Sequence, residues 1–277
     1  QALATYKYDE YQRFYPGQRF IETLALWLDD LKGWGEKELA YDFVRCRLVF
    51  FSIAEVNHLV SMAYPDFIRP HLLQVAAKDA GINPYHVSRV AASEEFARHE
   101  RSCLFLGLSD GARTDVFRRM NEGSIGHEQV LQTYEISPER VDKVLKKLRG
   151  AITEKWPSSP DAAEARFRTI VLLDDFSASG SSYLRIENGK PNGKIYEFIC
   201  KLLDPDHSCS QLVTLGQIRI LIVLYLATEQ AVTHLRTHLV TLWGASNLEF
   251  NIRRVPPLGN APRLLPSDPR HSLLGAT

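Results

Sequence analysis

The sequence predicts an α/β fold, a mostly parallel sheet with helices on both faces, preceded by an all-helical N-terminal region. Three observations carry that expectation. Short, continuously apolar runs at 103–108 and 169–173 read as strands buried on both faces, the mark of a parallel sheet. Segments with helical spacing alternate with such runs from residue 102 onward. The first hundred residues, by contrast, keep helical periodicity without a strand-like run.

The elements follow in order. Tyr6, Tyr8, Tyr11 and Phe14 stand among charges in 1–14, an aromatic arm expected to dock, and Pro16-Gly17 punctuates it. Over 20–34, Ile21, Leu24, Trp27, Leu28 and Leu31 keep helical spacing, and 39–51 and 53–62 continue the period. Pro65 and Pro70 interrupt before a helix over 72–80 that stops at Gly81. The strand 103–108 is bounded by the turn Ser109-Asp110-Gly111, and a helix follows over 114–120. Ser137 as N-cap and Pro138 in the first helical position open a helix ending near Gly150. A Pro/Ser-rich stretch, 156–160, precedes the strand 169–173. Then come a helix over 194–203, a strand over 218–226, a helix over 228–239 and a strand over 248–252. The expected organisation is a helical region 1–100, an α/β domain 101–252, and a proline-rich basic tail 253–277 without regular structure.

Composition narrows the function classes. The 33 Lys+Arg balance 33 Asp+Glu, which argues against general affinity for nucleic acid or anionic membranes and leaves only local basic patches. Cys46, Cys103, Cys200 and Cys209 show neither CxxC spacing nor a secreted disulfide framework, so reduced thiols are expected. The longest apolar stretch, 218–227, is about half of the ~20 residues a membrane span needs. No signal-peptide pattern opens the chain, and a cytoplasmic protein is expected. A start at Gln1 rather than Met suggests a piece of a longer chain, and a homo-oligomer is compatible with all of this.

The segment that carries chemistry runs from Thr169 to Ser182. A buried strand delivers Asp174 and Asp175 at its carboxyl end, then a loop Ser177-Ala178-Ser179-Gly180-Ser181-Ser182 leads toward a helix. Ligands of parallel sheets sit at that end of the strands. A Ser/Gly turn ahead of a helix offers backbone amides and hydroxyls to an anion, with Gly180 giving freedom where bulk would block it. A carboxylate pair beside a phosphate is repulsive unless it accepts hydrogen bonds from sugar hydroxyls or faces a divalent cation. A phosphorylated sugar with magnesium satisfies both requirements.

Four apolar residues, two acids and a small hydroxyl loop resemble the 5-phosphoribosyl-1-pyrophosphate (PRPP) signature of type I phosphoribosyltransferases, with Ser179 and Ser182 where threonines are usual. The resemblance implies that Asp174 and Asp175 hold the ribose hydroxyls and Mg2+, and that Ser177 to Ser182 cradle the 5-phosphate. It also implies that the earlier loop, Ser109, Asp110, Gly111, Ala112 and Arg113, receives the pyrophosphate, with Arg113 as its fork. The motif covers some 14 residues, and the helical front is foreign to the common enzymes. That front, Leu-Phe-Leu-Gly-Leu-Ser-Asp-Gly-Ala-Arg-Thr-Asp over 104–115 and Asp-Asp-Phe-Ser-Ala-Ser-Gly-Ser over 174–181 together resemble phosphoribosyltransferase-like effectors of bacterial conflict systems, including those beside retron reverse transcriptases. The implied setting is antiphage defence, with a reverse transcriptase, its RNA–DNA product and other retron-encoded proteins as partners.

Other readings fit some of the same residues. Acid pairs after apolar strands also occur in receiver domains. Asp175, Ser177 and Ser179 match the Asp-x-Ser-x-Ser metal motif of von Willebrand A domains, although no Thr-Asp-Gly-like loop follows. Arg118 and Arg119, and the basic series Arg140, Lys143, Lys146, Lys147 and Arg149, read as solvated faces. Asp110 and Asp115 are candidate helix caps, and His127, His234 and His238 lack a metal-site pattern. Tyr134 and Tyr225 are packing residues that also suit the neighbourhood of a base pocket. The expected function is therefore binding of PRPP or a similar ribose-phosphate with magnesium and transfer of its phosphoribosyl group. The alternative is a non-catalytic nucleotide-sensing or assembly module.

Overall fold

A computed structural model describes residues 20–47, 51, 53–160, 162–214, 218–244, 248–255 and 257–258. The aromatic arm 1–14 and the tail beyond Leu258 lie outside the described residues. The chain divides into two compact units, residues 1–56 with 260–277, and residues 57–259.

In the first unit, α1 (Phe20–Asp29) and α2 (Trp34–Arg47) are separate helices where the sequence period predicts one helix to Trp34. The break has a local cause. The Glu36 carboxylate accepts from the amides of Lys32 (3.2 Å) and Gly33 (3.4 Å), so the chain starts a new helix there.

The second unit opens within α3 (Ile53–Met62), passes a wide helical turn at Ala63–Ile68, and continues through α4 (Arg69–Asp79), α5 (Val87–Ala91) and α6 (Glu94–Arg101). Gly81, at φ +64°, ends the α4 segment in the left-handed conformation glycine adopts without strain. The α/β part then runs β1 (Cys103–Gly107), α7 (Thr114–Met120), β2 (Val130–Gln132), α8 (Pro138–Lys155) and β3 (Thr169–Ser177). A hairpin of β4 (Arg185–Glu187) and β5 (Lys190–Asn192) follows, then α9 (Lys194–Leu203), β6 (Arg219–Thr228), α10 (Glu229–Trp243), β7 (Glu249–Arg254) and β8 (Pro257–Leu258).

The main sheet is parallel throughout, in the order β2-β1-β3-β6-β7, with β8 added beside the end of β6. Register puts Leu104, Ile170 and Ile220 in one row, and Leu106, Leu172 and Ile222 in the next, on one face. Val141, Val144, Leu145, Leu148 and Ile152 of α8, Ile195, Phe198, Ile199 and Leu202 of α9, and Leu235 and Leu239 of α10 cover that face. On the other face, the Phe105 ring meets Tyr64 at 6.3 Å and Phe117 of α7 at 5.3 Å. Helices thus lie on both faces, and burying each central leucine or isoleucine contributes about 1.5–3 kcal/mol.

Several elements outrun their sequence limits: α10 reaches Trp243, β6 reaches Thr228, and β7 and β8 enter the tail expected to lack regular structure. For two others the packing reason is plain. Helix α8 passes Gly150 because Ile152 extends its buried stripe. Strand β3 continues past Leu173, because Asp174, Phe176 and Ser177 stay in register with Leu224, Leu226 and Ala227 of the long β6.

Candidate functional site

The sheet order reverses direction beside β1: the chain goes outward to β2 and then back to β3. The connections leaving β1 and β3 therefore part, and open a crevice at the carboxyl ends of these strands. Both predicted loops lie at this point. The Ser109 hydroxyl donates to Oδ1 of Asp174, which ties the first loop to the end of β3. Beside it, Gly111 lies so close to the Asp175 carboxylate that a Cβ there would overlap it. A side chain at this position would have to push the Asp175 carboxylate aside.

The two carboxylates live in different surroundings, because neighbouring residues of a strand face opposite ways. Asp174 is 1% exposed, on the face of α8 and α9. Burial pushes its pKa up, opposed by hydrogen bonds from the Ser109 and Tyr183 hydroxyls and by the Lys194 ammonium, while Asp175 adds to the rise. Lys194 Nζ stands 3.6 Å from Asp174 Oδ2 and 5.7 Å above the Tyr183 ring. Burial, then the Asp174 charge, pushes the Tyr183 phenol up, and its one proton is shared between Asp174 and the Phe176 carbonyl at 2.9 Å. Asp175, on the other face, is partly exposed and accepts from the Phe176 amide at 2.7 Å.

The first loop is a short 3₁₀ turn, Asp110–Ala112. Asp110 accepts from the Tyr134 hydroxyl rather than capping α7, and the buried Tyr225 donates to the Ala112 carbonyl at 2.7 Å. Burial raises the Tyr225 phenol pKa, with the Asp174 and Asp175 charges adding to it. Arg113 takes the left-handed conformation, φ +45° and ψ +47°. A side chain held there is strained by about 1–2 kcal/mol. Its Nη1 donates to Asn57 Oδ1 at 3.2 Å.

The second loop is less open than its sequence predicts. The buried Ser177 hydroxyl accepts from the Gly180 amide at 3.0 Å, and Ser179 Oγ accepts from the Ser181 amide at 3.3 Å and meets Ser181 Oγ at 2.7 Å. Thr228, the N-cap of α10, donates to the Ala178 carbonyl, and the Ser182 carbonyl accepts from the Lys194 amide at 3.3 Å. Gly180 has φ +81°, and a Cβ there would stand 2.9 Å from His234 Cδ2 and 3.0 Å from the Ala231 carbonyl. Its small size serves contact with α10 rather than a ligand. The helix expected directly after the loop is displaced, since β4 and β5 intervene before α9.

Beside the crevice, a cavity of about 160 Å³ is lined by Leu108, Thr133, Tyr134, Lys194, Glu197 and Lys201. Lys194 and Lys201 had no sequence signal. The asparagine-glycine turn ahead of α9 marks where a helix starts, but not how far its first lysine reaches.

Among the described residues, no group of three or more His, Cys, Asp and Glu side chains is placed to hold a metal ion. Asp174 and Asp175 diverge and do not form a joint chelate. Asp175 alone presents an accessible carboxylate, which fits a magnesium ion that keeps several waters and takes its other oxygens from substrate phosphates. His234 and His238 stack at 4.1 Å, with their nitrogens on the carbonyls of Leu184 and His234. No helix of the described residues is long and apolar enough to cross a membrane. No protein-family model, curated protein or solved structure matches the chain.

Proposed function

We propose that the crevice between the β1 and β3 loops binds a phosphorylated ribose with a second phosphate-bearing arm, PRPP or a close relative, and that the protein transfers its phosphoribosyl group to a nucleophile. The observation that carries this reading is the double contact of the loops, Ser109 with Asp174 and Gly111 with Asp175, at the switch point of a parallel sheet. Two carboxylates and a hydroxyl loop there suit a polyhydroxylated, phosphorylated ligand.

Asp175 would accept hydrogen bonds from the ribose hydroxyls. Asp174, already held by Ser109, Tyr183 and Lys194, would fix the position of the first loop. Ser179, Ser181 and Ser182 would turn their hydroxyls toward the 5-phosphate, exchanging bonds within the loop for bonds to the anion. Arg113 and Lys194 would offset charge on the departing diphosphate, as electrostatic stabilisation of a leaving group requires. A bound magnesium ion would neutralise part of that same charge.

A specific observation favours the second reading, a module that binds without turnover. The Gly180 and Ser181 amides are already occupied within the loop, so a ligand must displace these bonds before the loop engages it. Incubation with PRPP and magnesium separates the two, with free diphosphate and melting temperature both measured. Diphosphate release with a melting shift supports transfer or hydrolysis, a shift without release supports the sensing module, and neither overturns the ribose-phosphate reading. The defence setting implied by the resemblance is tested by phage plaque counts on cells carrying the wild-type system or its Asp175→Asn variant. Equal counts on both would contradict it.

A further inference from the structure

The opposite end of the sheet holds a cavity of about 240 Å³, lined among others by Arg98, Ser102, Ser159, Arg166, Arg168 and Thr214. Ser102 immediately precedes β1, Arg166 and Arg168 precede β3, and Thr214 lies ahead of β6. The cavity is therefore a place distinct from the crevice at the carboxyl ends.

Three arginines, Arg98, Arg166 and Arg168, line it, Arg149 reaches the backbone of one lining residue, and their charges are poorly balanced. Arg98 of α6 pairs with Glu94 at 2.7 Å, donates to Ser159 Oγ at 3.1 Å and lies 4.7 Å over the Trp156 ring. Arg166 Nη1 spends itself on neutral acceptors, the carbonyls of Gln211 at 2.8 Å and Val213 at 3.3 Å. Arg149 of α8 reaches the Ala165 carbonyl at 3.4 Å. Arg168 is exposed, and its amide donates to the Ser102 carbonyl at 2.9 Å. Ion pairs among the described residues involve neither Arg149, Arg166 nor Arg168. Among the described residues that line the cavity, Glu164 is the only acid. Lys155 adds its ammonium 5.1 Å from the Trp156 ring.

We propose that this pocket binds a compact phosphate group, either as free phosphate or diphosphate or as the phosphate tail of a nucleotide whose base stays outside. Clustered like charges repel, and an anion offsets that cost. A guanidinium has five N–H donors, so Arg166 keeps some for a ligand after serving two carbonyls, and planar forks match phosphate oxygens. Ser159 Oγ accepts from Arg98 and keeps its own proton to donate, and the Ser102 and Thr214 hydroxyls complete a polar wall. The volume falls below the ~300–1,000 Å³ typical of pockets for whole organic ligands. It suits a phosphate or diphosphate better than an entire nucleotide.

Trp156 supplies a local reporter, because its ring stacks on Arg98, which lines the pocket. Its fluorescence is followed while inorganic phosphate, diphosphate, ATP or sulfate is added without divalent metal at constant ionic strength. The expected result is a saturable change with diphosphate that vanishes in Trp156→Phe. In Arg168→Glu it should require roughly tenfold more ligand or beyond, as loss of one charge-assisted bond implies. ATP tighter than diphosphate identifies a nucleotide tail as the source; diphosphate as tight as ATP identifies the free anion. Arg168 has an exposed side chain, so Arg168→Glu should melt close to the wild type, and Arg168→Gln serves if it does not. A response equal with sulfate, one that persists in Trp156→Phe, or one unchanged in the Arg168 variants would overturn the proposal.

Discussion

Two clusters at opposite ends of the parallel sheet hold charges of opposite sign in the same manner. At the carboxyl end, Asp110, Asp174 and Asp175 are met by the hydroxyls of Tyr134, Ser109 and Tyr183, the Phe176 amide and one lysine, Lys194. At the amino end, Arg149 and Arg166 are met by backbone carbonyls. Neutral partners satisfy hydrogen bonds without cancelling charge, so Asp175 in one cluster and Arg166 in the other keep their charge for a ligand. A formal net charge of zero hides this separation. Whole-chain charge therefore says little about the ligands of a protein that holds local clusters of each sign.

The largest expected effect at the carboxyl end comes from Gly111→Val. The new side chain must displace the Asp175 carboxylate, and crowding of that kind costs about 1–3 kcal/mol. Its melting temperature should fall, and the stabilisation by magnesium-PRPP should disappear. A retained ligand shift would mean that the two loops do not share one ligand.

Asp175→Asn should come next. Loss of charge-assisted hydrogen bonds of roughly 1.5–3 kcal/mol should weaken PRPP binding by tenfold or more, read by calorimetry. Asp174→Asn sharpens the contrast between the two acids. The folded-state pKa of Asp174 is raised, so the wild type gains stability from that group at acid pH and loses it as pH rises through the raised value. The amide variant should therefore melt higher than the wild type at pH 7–8, by about 2–4 °C if the gain is near 1 kcal/mol. Its advantage should shrink to nothing as pH falls below the ordinary carboxylate range near 3.9. A gap that stays constant with pH would place its cause elsewhere than in the burial of this charge.

The smallest expected effect crosses the molecule. Arg168→Glu, which should impair the amino-end pocket, should leave the magnesium-PRPP melting shift within about 1 °C of the wild type, since exposed charges beyond a Debye length of about 8–10 Å are screened. A large loss would show that the two ends are coupled.

How much of this could be read in advance depended on how local each signal is. The runs 103–108 and 169–173 marked their strands because burial on both faces leaves an unbroken apolar string. Ser137 and Pro138 marked the start of α8 because a cap is made within one turn, and the Arg140 amide does bond Ser137 Oγ. Strand β2 has three residues, too few to show a period, and the end of β3 depends on the length of β6, which no local pattern encodes. The hairpin turn is legible in its residues: Asn188 and Gly189 both take positive φ, at 50° and 75°, as an asparagine-glycine turn favours. At the site, the residue types that gather in the crevice were visible in the motif, but not which way each one faces. Gly180 is the clearest case, since its contact is with α10, more than 50 positions further along the chain. The reach of Lys194 to Asp174 is of the same kind.

The central claim is that the β1 and β3 loops form one site for a phosphorylated ribose, and a crystal soaked in magnesium-PRPP, or in a non-hydrolysable analogue, tests it most directly. The account predicts ligand density with the ribose against Asp175, the 5-phosphate among Ser179, Ser181 and Ser182, and the second phosphate arm between Arg113 and Lys194. Density found only at Arg98, Arg166 and Arg168, or none at the carboxyl end at saturating ligand, would contradict it.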